Sequence, residues 1–185
     1  EQSINEAYRD DLQNTSYNHM KDVLSKMNVE YLINNIGIDE HLQMPQPLVQ
    51  AAAGIPPILE GIRVPSESTQ SGVPTYWFVK EKLNRPYSSI ETLEDYCEAT
   101  EKLLEYLRNS GNYVCYKLQI AYNRPLSFPE PEEDESVYEK LFNNAPESHE
   151  QLWKFGDYVF HHILEWAAFE WNVPFQMHTG LGRMY

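Results

Sequence analysis

The segment Tyr113–Tyr122 limits the possible folds more than any other part of the chain. It is rich in residues that favour pleated backbone, and its side chains alternate in kind. Val114, Tyr116, Leu118, Ile120 and Tyr122 form one row; Cys115, Lys117, Gln119 and Ala121 form the other. A strand covered on both faces in an open doubly wound sheet reads as apolar throughout. Here one row is polar and carries a lysine, whose charge is costly to bury without a partner. The pattern predicts a strand with one face on a core and the other on a polar space, unless Lys117 merely snorkels to the sheet edge.

The stretch Pro174–Gly180 repeats this split, with Gln176 and His178 alternating against Phe175, Met177 and Thr179. It reads as a short strand ending in a histidine and a glycine. Arg63, on the parity of Gly61, extends the pattern to a third candidate strand, Ile58–Val64. In a parallel α/β barrel such polar rows face the mouth, where chemistry is carried out. A histidine there is a common start for a metal site.

The remaining segments supply the alternation of helices and strands. Tyr8, Leu12, Met20, Val23, Leu24 and Met27 give residues 4–27 an intermittent helical stripe, and Val29–Asn35 reads as a strand. Pro45, Pro47, Pro56 and Pro57 make a long regular element in 40–57 improbable. Tyr76–Val79 fits either a strand or the start of a short helix. A helix over 93–109, capped by Ser89 or Thr92 and ended by Gly111, has acidic residues early and basic ones late. Residues 125–135 read as an acidic solvated loop before a helix near 137–143. A long helix over about 150–171 follows, stopped by Asn172 and Pro174. Strands alternating with helices argue for parallel βαβ units in one α/β domain spanning 1–185. Four such strands make half of a TIM-type (β/α)8 barrel or a small open sheet.

Charge excludes several partners. The chain carries 28 acidic against 14 basic residues, a net charge of −14. That field repels a phosphate backbone or an anionic membrane surface, so neither nucleic acid nor membrane is expected. With no long apolar run or signal peptide, the expected location is cytoplasmic. Cys97 and Cys115 lack C-x-x-C spacing and read as unpaired buried thiols. The first residue is Glu1 and not Met, which suggests a processed, tagged or excised chain.

Two blocks, Tyr116–Tyr122 and Trp171–Gly182, carry a resemblance to the amidohydrolase superfamily, in its amidohydrolase-related (type 2) branch of metal-dependent hydrolases. Asn28–Leu32 resembles that branch's second strand. The resemblance implies a distorted (β/α)8 barrel with a divalent metal, zinc or else manganese, at the C-terminal ends of the strands. His178 falls on the strand-five histidine, a metal ligand in the family. Lys117 falls on the strand-four position, where binuclear relatives carry a carboxylated lysine, which makes it the catalytic candidate. The family's strand-one His-x-His, strand-six histidine and strand-eight aspartate have no counterpart in the sequence. The chain therefore resembles an excerpt holding strands two to five of a hydrolase, active only if the remaining strands are supplied. Arg63 and Gln176 are the substrate-binding candidates. Arg63 fits either a bidentate contact with a substrate carboxylate or a structural ion pair.

The other histidines read as surface residues. His161 and Glu165 have i, i+4 spacing at the edge of the apolar stripe of their helix, without the H-E-x-x-H order of a zinc protease. Two further readings stand beside the hydrolase. One is a non-catalytic module that binds a small carboxylated ligand. The other is an assembly piece whose open sheet edge pairs with another chain, giving a homo-oligomer.

Overall fold

A computed structural model describes residues 18–19, 21–30, 32–36, 49–54, 74–111, 113–144 and 147–179. They form a mixed α/β structure around a four-stranded parallel sheet. The strands are β1 (Leu32–Ile36), β2 (Val49–Gly54), β3 (Tyr113–Leu118) and β4 (Phe175–Met177), and they lie side by side in chain order. The β2–β3 register slips between Ala51 and Ala52, beyond which Cys115 stands opposite Ala52 and Lys117 opposite Gly54. On the other side Tyr116, Lys117 and Leu118 stand opposite Phe175, Gln176 and Met177.

Helices α1 (Pro74–Glu81) and α2 (Leu93–Asn109) precede β3. Thr92 starts α2 with a reciprocal capping box: its Oγ1 accepts from the Asp95 amide at 3.1 Å, and the Asp95 carboxylate accepts from the Thr92 amide at 2.9 Å. The chain leaves this helix through Gly111, whose φ of +67° favours a residue without Cβ. Between β3 and β4 run α3 (Ser136–Asn143) and a continuous helical run from His149 to Trp171. That run divides into α4 (His149–Val159), a π-helical turn over Phe160–Glu165, and α5 (Trp166–Trp171). Asn172 closes it in the left-handed conformation, φ 53°.

One core binds these helices to one face of the sheet. Leu103, Leu104 and Leu107 of α2 meet Phe155, Val159, Ile163 and Leu164 of the long helical run, and Tyr96 touches both Phe142 and Phe155. The sheet contributes Tyr116, Leu118 and Phe175. The Tyr116 ring lies tilted against Phe175 at 5.6 Å and its hydroxyl donates to the Leu104 carbonyl at 3.3 Å, so this row faces the helices.

Several expectations need adjusting. Residues 40–57 do contain a regular strand, β2, whose alanines have little strand preference of their own and are held by ladders on both sides. Strand 113–122 ends at Leu118, and Ile120–Tyr122 form a 3-10 turn that still buries Ile120. Tyr76–Val79 is helical. The candidate strand 58–64, with Arg63, lies outside the described residues, as does most of the expected helix 4–27.

Candidate functional site

Strand alternation sets Cys115 and Lys117 on the face opposite Tyr116 and Leu118, and the core cluster omits both. Gln176 is the register partner of Lys117 and shares that face. His178 continues the same parity one step beyond β4. Its amide donates to the Leu118 carbonyl at 2.9 Å, so the ladder extends past the assigned strand and fixes the backbone under the imidazole. Lys117, Gln176 and His178 therefore form one polar row across two neighbouring strands near their C-terminal ends.

Burial differs along the row. Lys117 is 8% exposed, whereas Gln176 is exposed and His178 half-buried. Among the described residues the Lys117 ammonium makes no hydrogen bond or ion pair. Burial pushes the Cys115 thiol above its ordinary pKa, and the Lys117 ammonium pulls it partway back, which puts the two side chains within electrostatic reach. The register partner of Lys117 on β2 is Gly54, a residue that adds no side chain beside it.

The described residues assemble no group of three or more His, Cys, Asp or Glu side chains able to hold a metal. On the polar face His178 is joined by the Cys115 thiol and the Lys117 ammonium. His178 supplies a single ligand here, so a divalent metal would need its further ligands from outside the described residues. What the row fits by itself is an anion, with an ammonium and an amide as donors.

A second polar cluster lies in the segment that follows β3. Arg124 is buried and paired with Asp157 of α4. Its guanidinium also donates to the carbonyls of Trp153 at 3.0 Å, Ser127 at 3.1 Å and Pro125 at 3.3 Å. Burial raises the Asp157 pKa, and the bond and charge of Arg124 oppose the rise. The segment and α4 enclose an open cavity of about 380 Å³, lined by Pro129, Glu130, Tyr138, Trp153 and Lys154 among others. Neither Arg124 nor Asp157 stood out in the sequence. The available signal was a carboxylate inside the apolar stripe Phe155–Val159.

Compared with protein-family models, with curated proteins and with solved structures, the chain matches none.

Proposed function

We propose that the chain forms part of an amidohydrolase-like, metal-dependent hydrolase acting on a small carboxylated substrate, with its active centre at the Lys117–Gln176–His178 row. The observation that carries this reading is the arrangement of the sheet. Four parallel strands adjoin in chain order, and the core binds the helices to the Tyr116–Leu118–Phe175 face, while a polar row ends the other face. Among the described residues helices pack on one face alone, and a parallel sheet of that kind is stable when it curls so that its other side becomes an interior. A TIM-type barrel is the commonest such closure, and its chemistry sits where this row lies. In this reading His178 is a metal ligand, Lys117 a cation at the mouth, and Gln176 a hydrogen-bonding contact to substrate. Arg63 would add a second carboxylate contact. Zinc or manganese, when bound, would supply an activated water.

A second reading is favoured by the burial of Lys117, whose side chain has no ion-pair partner among the described residues. A non-catalytic module could use Lys117 and Gln176 to hold a carboxylate with no metal at all. Zinc and manganese analysis of the purified protein, wild type and His178→Ala, separates the two. Stoichiometric metal lost in the variant supports the hydrolase. A metal-free protein that binds benzoate in wild type, and not as Lys117→Met, supports the module. A metal content unchanged by His178→Ala contradicts the hydrolase assignment.

A further inference from the structure

We propose that His161 is a pH-operated latch: as a doubly protonated imidazolium it ties the Phe128 end of segment 124–130 to the helix, and its deprotonation loosens that segment. The inference stands on hydrogen-bond geometry in the π-helical turn and is independent of the hydrolase reading.

His161 Nε2 lies 3.0 Å from the Phe128 carbonyl oxygen, and Nδ1 lies 2.9 Å from Glu165 Oε2. A carbonyl and a carboxylate only accept. A neutral imidazole carries one proton and satisfies one of them, leaving a lone pair against the other oxygen. Both contacts hold together when both nitrogens are protonated. The imidazole is 13% exposed and the Glu165 side chain 60%, so water screens the Glu165 contact more than the part-buried Phe128 contact. The Phe128 ring stacks on Phe160 at 4.0 Å, which fixes the segment where the imidazole can reach its carbonyl.

The charges around the imidazole favour the cation. From its own helix come Glu165 and, one turn earlier, Asp157; from the facing segment comes Glu130. Arg124 is the opposing cation, already paired with Asp157. Burial disfavours the imidazolium, but the Phe128 carbonyl and the carboxylates of Glu165 and Glu130 outweigh it, so the pKa lies above the ordinary 6.5. The linkage sign follows: the latch is complete below about pH 6.5 and is lost as pH rises through the raised value.

The segment thus has two anchors of different kinds. Arg124 does not deprotonate; at every pH it holds the Pro125 and Ser127 carbonyls and lies 4.9 Å from the centre of the Phe128 ring. His161 holds the far end in its charged form. Between them lie Pro125 and Ser127, which with Pro129 just beyond Phe128 form one wall of the 380 Å³ cavity. Loss of the His161 bond frees the Phe128 carbonyl and leaves that wall held by Arg124 and by the Phe128–Phe160 stack.

Amide hydrogen exchange of the whole protein, corrected for the intrinsic pH dependence and measured from about pH 5.5 to about pH 8.5, tests this. Protection across residues 126–130 should fall about tenfold as pH rises, because a charge-assisted bond is replaced by a neutral one. The midpoint should coincide with the titration of the His161 ring followed by NMR. Glu165→Gln, a change on an exposed side chain, should move both midpoints to lower pH. His161→Gln should remove the pH dependence, and if that variant does not fold, the wild-type and Glu165→Gln titrations still decide. Protection that does not change with pH, a ring nitrogen unprotonated at about pH 5.5, or a midpoint unmoved by Glu165→Gln would overturn the proposal.

Discussion

Three charged side chains are buried among the described residues, Lys117, Arg124 and Asp157, and the fold treats them differently. Arg124 and Asp157 compensate each other, so removing either one leaves an uncompensated charge in a site with little water. Arg124→Ala or Asp157→Ala should each cost about 3–5 kcal/mol in urea unfolding, with the double variant costing less than the sum. Lys117 has no such partner among the described residues. Lys117→Met should leave the unfolding midpoint unchanged or raise it; a loss beyond about 2 kcal/mol would show that the lysine has a structural role. Cysteine chemistry offers another check. Burial, with Glu101, Glu135 and Glu94 nearby, pushes the Cys97 thiol to about 12. Cys97 is half-buried, so a disulfide reagent at about pH 8 should label it well below the rate of an ordinary exposed thiol, and labelling at the free-thiol rate would contradict the raised value. At this scale the sequence revealed chemistry only where a pattern exposed it. The parity of Lys117 against Tyr116 was legible, and so was the His161–Glu165 spacing. The Arg124–Asp157 pair joins residues far apart in the chain, and no local rule brings them together.

Elements with strong local instructions were legible, and those held by their neighbours were not. Thr92 and Asp95 write the start of α2, Gly111 ends the turn after it, and the predicted span 93–109 matches the observed helix. Thr92→Ala should lower stability by about 1 kcal/mol in chemical denaturation, and a change below about 0.3 kcal/mol would mean the box contributes nothing. The strand β2, by contrast, is mostly alanine and glycine in a proline-rich region, and its conformation depends on ladders to β1 and β3. The π-helical turn has no sequence signature either. Its place is fixed by packing: Phe160 stacks on Phe128 and lies 6.1 Å from Phe175, while His161 reaches out to the 124–130 segment.

For the molecule as a whole, the alternation of helices and strands predicted a parallel α/β arrangement, and the four strands are parallel and adjacent in chain order. Closure into a barrel is a further step that a period-two pattern does not encode, since a half-barrel and a short open sheet share the same local rules. The candidate site was legible to the same depth. Lys117, Gln176 and His178 do share a face, Arg63 lies outside the described residues, and the remaining ligands a metal would need are not among them. No described helix is long and apolar enough to cross a membrane. Trp166 and Phe169, the latter 84% accessible, are the large apolar side chains of the long helical run that are exposed. Replacing Phe169 with Ser should change stability by less than about 0.5 kcal/mol, as measured by thermal unfolding; a larger loss would show that this ring is covered in solution.

The most direct test of the polar row is a zinc titration followed through the ring carbons of ¹³C-labelled histidines. The His178 resonances should move first and reach saturation at one equivalent, with a different affinity in Lys117→Met. Zinc that moves His161 or His162 and leaves His178 in place would contradict this.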